Sequence, residues 1–291
     1  MREFPIFVPF DDDHLAAVVT VPDGQPRGLV VLLQGLGSGR SHRYQLWTRV
    51  ARTLSESGLA SIRMDYREIG DSTGHLSGTL NEPPVREILE VIRVGMRAIG
   101  VPSCAVLGNC MGGRAALKVA EELRGCLGVG VIITDNPQNY VGRAREAASR
   151  ASKPRRFVRK VRRRISSRRR SPERRERASM QWIPEIPATL GVRPLLLLYV
   201  GPARFGRPLK GDAAALVRET ATDPAMVSLQ TIEEDTLHLD LPLRLQEELV
   251  ERVVHWLDSA VAWRRAAPFS GTAGGSEPSA VSDRGRKRRS A

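Results

Sequence analysis

The amino-acid sequence predicts an α/β protein, a mostly parallel sheet with helices on both faces. Three observations carry this expectation. Short apolar runs at 28–34, 59–64, 103–107, 128–134, 193–200 and 226–232 have the length and the β-branched or leucine-rich content of strands buried on both sides. Stretches with apolar residues at helical spacing alternate with them, and that alternation belongs to a parallel sheet. Finally, Gly108-Asn109-Cys110-Met111-Gly112 joins an apolar strand directly to a helix of small residues.

Residues Phe4–Val21 alternate in polarity and turn at Asp11-Asp12-Asp13-His14, which reads as an opening β-hairpin. The strand Gly28–Gln34 follows and ends in Gly35-Leu36-Gly37-Ser38-Gly39. Leu59–Met64 is the next strand and runs into Asp65-Tyr66-Arg67-Glu68-Ile69-Gly70-Asp71-Ser72. A helix is expected from Asn81, with Pro83 and Pro84 in its first turn, where a missing N–H breaks no helical bond. Val85, Ile88, Leu89, Ile92, Met96 and Ile99 then share one face. The strand Ser103–Leu107 leads into the helix Met111–Leu123. A last helix, from about Leu243 to Trp263, puts Leu245, Leu249, Val253, Trp256 and Leu257 on one side.

The strand–helix rhythm breaks between Tyr140 and Pro187, in an arginine-rich stretch of helical character. The chain therefore divides into a first core segment at 1–142, a basic helical cap or lid insertion at 143–188, a second core segment at 189–266, and a basic tail at 267–291. The Gly, Ser and Ala content of the tail marks it as disordered. The formal net charge of +13 is local: residues 143–178 hold 17 Lys and Arg against 3 Glu, the tail holds 5 basic against 2 acidic residues, and the rest nets −4.

Clustered arginine attracts anionic partners. A nucleic-acid partner is disfavoured, because the insertion has only Phe157 and Trp182 as ring residues besides Tyr140 at its edge, and no reader motif is present. No apolar stretch is long enough to span a bilayer. The N-terminus lacks the apolar run of a signal peptide, so a cytoplasmic location is expected. Cys104, Cys110 and Cys126 form neither an even disulfide framework nor a metal-ligand spacing, and no metal or cofactor is expected.

Cys110 is the most informative residue. Gly108-Asn109-Cys110-Met111-Gly112 is G-x-C-x-G, a nucleophile elbow with cysteine in place of serine, in the strand–turn–helix context this motif requires. The turn should hold Cys110 in a strained backbone conformation. A Cβ at Gly108 or Gly112 should collide with the adjoining helix or strand. The helix N-terminus favours a thiolate there. Cys104 and Cys126 lie in apolar segments and read as small core residues.

These segments, in this order, resemble the α/β-hydrolase superfamily. Within it the chain is most similar to the exosortase-A-system-associated hydrolases, on Ser41-His42-Arg43 after the glycine loop, Asp65-Tyr66-Arg67, the elbow cysteine, and Asn136-Pro137 followed by a basic insertion. Glu68 stands where glycine is common in such chains. The resemblance implies an α/β-hydrolase fold with oxyanion donors on the backbones of Leu36 and Met111. It implies His238, in the loop after the last strand, as the base; His14, His75 and His255 fit that place less well. The triad acid usually follows the 193–200 strand, but Gly201-Pro202-Ala203-Arg204-Phe205 has no carboxylate. Asp135, at the end of the preceding strand, is the alternative and keeps the nucleophile–acid–histidine order. Asp212 comes late and reads as a helix cap, while Glu234 and Asp235 would have to fold back on His238. His42 borders the expected pocket as a candidate substrate contact.

The expected function is acyl hydrolysis through an acyl-cysteine, with thioesters or activated esters as substrates. An acyl-cysteine is itself a thioester, so loading from a CoA- or carrier-protein-linked thioester is nearly balanced, whereas loading from an amide is uphill. The same intermediate makes transfer to an amine or alcohol the alternative. From other classes come a catalytically silent scaffold and a nucleic-acid binder using the basic insertion.

Overall fold

A computed structural model of the chain describes residues 1–35, 37–76, 82–123, 125–133, 193–201, 226–234 and 242–266. The expected cap at 143–188 and the tail at 267–291 lie outside the described residues. The strands are β1 (Arg2–Phe10), β2 (Asp13–Val21), β3 (Leu29–Leu33), β4 (Ala60–Met64), β5 (Cys104–Asn109), β6 (Cys126–Ile133), β7 (Leu195–Gly201) and β8 (Val227–Glu233). They form one eight-stranded sheet in the order β1-β2-β4-β3-β5-β6-β7-β8. From β4 across to β8 every neighbouring pair is parallel, and the β1–β2 hairpin joins antiparallel through β2 to β4.

From β3 across to β7, alternation along each strand explains why both faces are buried; β8, expected to be buried on both faces, lies at the other edge of the sheet and is mostly only half-buried. On β3, Leu29, Val31 and Leu33 enter one apolar layer while Val30 and Leu32 enter the other. On β7, Leu195, Leu197 and Tyr199 face the first layer, and Leu196, Leu198 and Val200 the second. Helices α2 (Val85–Ile99) and α3 (Met111–Glu122) cover the first face. Helices α1 (Leu46–Glu56) and α4 (Leu243–Ala266) cover the second. Leu245, Leu249, Val253, Trp256 and Leu257 of α4 are all buried, as their spacing predicts.

Three expectations need correction. Helix α2 starts at Val85 rather than Asn81, and Pro84 lies outside it at φ −77°, ψ 67°. Consecutive prolines explain this, because a residue before proline is pushed out of the helical region. Helix α3 ends at Glu122, and Leu123 is already extended. His14 belongs to β2 rather than to the hairpin turn, which is formed by Asp11 and Asp12.

Strand β1 is one edge of the sheet and pairs with β2 from Arg2↔Val21 to Phe10↔Asp13. Pro5 and Pro9 stand four residues apart on it and turn their nitrogens to the same side, away from β2, where no ladder bond is lost. The edge strand is tied inward by Arg63 of β4, which donates to Glu3 Oε1 at 3.0 Å and to Thr48 Oγ1. Burial lowers the Arg63 pKa, and Glu3 opposes that shift.

Leu197 is fully buried on β7, between β6 and β8. Leu197→Ala should lower the free energy of unfolding by about 2–5 kcal/mol, read from urea titration by circular dichroism.

Candidate active site

Strand β5 ends at Asn109, and Cys110 turns the chain into α3 at φ 53°, ψ −121°. Left-handed φ is unfavourable for a residue with a Cβ, by about 1–3 kcal/mol, and persists only where packing enforces it. Here the enforcement is visible. A Cβ at Gly108 would collide with the Gly112 carbonyl, and one at Gly112 would collide with the Leu33 carbonyl of β3. The carbonyl of Cys110 accepts from Gly113 N–H at 3.1 Å and Arg114 N–H at 3.4 Å, which starts the helix. Met111 is fully buried, and its amide lies in the first turn of α3, where N–H groups have no intrahelical acceptor.

The three thiols differ as expected. Cys104 and Cys126 are buried while Cys110 is only partly so. Burial pushes the Cys104 thiol pKa well up, and nearby Cys126 adds to that shift. Both flanking cysteines are therefore inert core residues.

The loop after β3 packs against the elbow. Leu36 lies outside the described residues, but Gly35 and Gly37 on either side do not. A Cβ on Gly35 would sit 3.1 Å from Cys110 Cβ and 3.5 Å from its Sγ. Further along, His42 adopts φ 60° and donates its amide to the Gly39 carbonyl at 2.8 Å. Its Nε2 lies 3.1 Å from Asn109 Nδ2, and its ring meets Trp47 edge-on at 5.6 Å. With Asn109 Nδ2 as donor, Nε2 accepts and the neutral ring carries its proton on Nδ1. Burial lowers the His42 pKa to about 4, with the Arg43 backbone opposing and the Arg43 charge adding. A neutral imidazole with Nε2 engaged by Asn109 can hydrogen-bond, but it is poorly suited to remove a proton from Cys110.

The loop after β4 holds residues that sequence reasoning treated only as landmarks. Asp65 is completely buried. Its Oδ1 accepts the Arg40 amide at 2.6 Å, and its Oδ2 accepts the Arg40 guanidinium and the Asp71 amide, the latter at 3.2 Å. Gln34 Nε2 donates to the Met64 carbonyl at 2.7 Å, and the Tyr66 hydroxyl to the Gln34 carbonyl at 3.1 Å. The Tyr66 pKa is raised, by burial first and then by Cys110 and Glu87, so the phenol stays a neutral donor beside the elbow. Glu68 has φ 64°, which accounts for the preference for glycine at that position of the resemblance. An aspartate immediately after an apolar strand was the available signal; its partner Arg40 stands 25 residues earlier.

Asp135 and His238 lie outside the described residues, as do Asp212 and Asp235. Strand β6, beside β5, ends at Ile133, two residues before Asp135, and β8 ends at Glu233, five before His238. Both ends lie at the carboxyl edge where β5 delivers Cys110. Glu234 leaves β8 with its amide on the Gly201 carbonyl at 3.1 Å. His75 is exposed in a loop, and His255 is exposed on α4. Among the described residues, no group of three or more His, Cys, Asp or Glu is placed to hold a metal ion, and no helix is long and apolar enough to cross a membrane.

Residues 28–137 match the family described as the alpha/beta hydrolase fold. Similar solved structures include an esterase from Pyrococcus furiosus, at 16% identity and TM-score 0.55 over 89% of this chain and 92% of that one. A thermostable carboxyl esterase from Bacillus coagulans has 12% identity and TM-score 0.60 over 90% and 99%. A proline iminopeptidase from Mycobacterium smegmatis has 17% identity and TM-score 0.51 over 88% and 99%. No curated protein matches the chain. The chain has the α/β-hydrolase fold.

The His42 pKa makes a prediction. Because about 4 lies below its ordinary 6.5, protonation favours the unfolded chain. The stability that neutral His42 contributes is whole above about pH 6.5 and is lost as pH falls toward 4. Urea unfolding across that range should show the loss, and His42→Gln should flatten it.

Proposed function

We propose that the protein is an acyl hydrolase that works through an acyl-cysteine at Cys110 on thioester or activated ester substrates. The single observation that carries the reading is Cys110 itself: a half-buried thiol at left-handed φ, forced there by backbone packing at a helix N-terminus. Positive φ at a half-buried cysteine, beside a loop rich in glycine, supports a site over a core cysteine. Esterases and a peptidase among the similar folds agree with hydrolase chemistry.

In this reading His238 takes the proton from Cys110, and Asp135 orients the imidazole. The thiolate attacks the acyl carbonyl, the C–S bond forms, and the amides of Leu36 and Met111 hold the developing oxyanion. The leaving group departs with the proton from His238. Water, activated by the same imidazole, then cleaves the thioester and restores the thiol. His42 borders the acyl or leaving-group side as a neutral ring held by Asn109. A CoA- or carrier-linked thioester suits the arginine-rich stretch electrostatically. Transfer to an amine or alcohol is the second reading, favoured by the reactivity a thioester intermediate keeps. The likeness to exosortase-A-system-associated hydrolases belongs to this proposal.

Intact-mass trapping against acyl-CoA and p-nitrophenyl ester panels should give a single acyl adduct on the wild type and none on Cys110→Ala. Full turnover by Cys110→Ala would end the nucleophile assignment. Asp135→Asn should lower kcat on the order of 10^3-fold or more with folding intact; an unchanged kcat would remove Asp135 from the site.

A further inference from the structure

We propose that Arg40 and Asp65 form a positioning device that holds the loop after β3 against Cys110, so that acyl transfer to the sulfur depends on this pair. The proposal rests on the reading of Cys110 as the acyl-accepting nucleophile.

The carboxylate of Asp65 is buried, and Arg40 meets it twice, through its backbone amide at 2.6 Å and through its guanidinium. One residue bonding a single carboxylate with both backbone and side chain has its φ and its rotamers fixed together. The other arm of the guanidinium donates to Asp71 Oδ2 at 2.6 Å, and the Asp71 amide returns to Asp65. Gly70 lies directly on the carboxylate, where a Cβ would overlap it, and a Cβ on Gly39 would approach Oδ1 at 3.5 Å. The loop is thus bolted at Arg40 to the end of β4.

From that bolt the chain reaches the elbow in both directions. Five residues back, Gly35 packs on Cys110 Cβ and Sγ. Two residues on, the His42 ring meets Asn109, the residue before Cys110. Between and beyond, His42, Tyr44 and Gln45 all have φ between 51° and 60°. Three left-handed non-glycine residues in four keep that conformation only if the surroundings over-determine it. The pair, with its carboxylate buried and its guanidinium 25% exposed, is a poor source of net stability, because desolvation of the acid offsets the attraction. What it supplies is direction, and the direction here is the wall of the Cys110 site. The device should therefore be needed for attack on a carbonyl, where an oxyanion must be received in a fixed place.

Two reactions of the same sulfur separate this role from general loosening. Alkylation by iodoacetamide forms an S–C bond and expels iodide with no oxyanion. Acylation by p-nitrophenyl acetate forms an S–C bond, passes through an oxyanion, and expels p-nitrophenolate, with the thiol proton going to the base. In the full chain, Arg40→Ala should slow the p-nitrophenolate burst by about 100-fold, as a misplaced reacting geometry does. Its iodoacetamide rate at Cys110, read by peptide mass, should stay within about 3-fold of wild type, with KM little changed and kcat lowered. Arg40→Lys should restore part of the burst, and Asp65→Asn, where it folds, should match Arg40→Ala. A wild-type burst from Arg40→Ala overturns the proposal, and so does an equal loss of alkylation and acylation. A burst that survives Cys110→Ala overturns the nucleophile reading instead, and this proposal with it.

Discussion

The constraint on which the site depends is the lack of room between β5, the start of α3 and the end of β3. Gly108 and Gly112 approach the neighbouring carbonyls so closely that neither position admits a Cβ. With both flanks fixed, Cys110 takes up the turn and is driven to positive φ. The same approach of α3 to the end of β3 needs β3 beside β5, and the two strands are paired. Both apolar layers are organised about this central strand, with Cys104 and Val106 on one side and Ala105 and Leu107 on the other.

Around that fixed turn, polar groups rather than apolar ones shape the loops. The exits of β3 and β4 are bound together through Gln34, Met64 and Tyr66, and the Asp65 carboxylate gathers three donors from two loops. The seryl hydroxyl of Ser72 extends the network, donating to the Asp65 carbonyl and accepting from the Ala16 amide, both at 2.8 Å. The glycine loop is held from below by β4 rather than by its own sequence, which explains how it tolerates so many left-handed residues.

Strands buried on both faces were legible because their alternation is local: each parallel strand is a short apolar run, and the runs agree with the observed spans to within one or two residues. The elbow was legible for the same reason, since Gly108, Cys110 and Gly112 encode their geometry within five positions. The start of α2 was misplaced because the helical periodicity of Val85–Ile99 says nothing about how two prolines resolve before it. The Arg40–Asp65 and His42–Asn109 contacts were not legible at all. They join residues 25 and 67 positions apart, and their meeting depends on strand order, which no local pattern encodes. Asp65 was noticed as part of a segment, yet its burial and its role follow only once β3 and β4 lie side by side.

The two prolines of the outermost strand bear on how the protein behaves in a crowd. An open sheet border offers a row of free amide donors to any extended peptide, its own copies included, and this is the usual seed of runaway association. With Pro5 and Pro9 on the outward side of β1, two of the donors such a newcomer needs are missing, and the positions between them are too few to hold a ladder. The border is chemically blunt although its side chains, Phe4 and Phe7 among them, are exposed. Copies of this chain that meet at that flank can touch through their rings, but their backbones find a poor template for pairing.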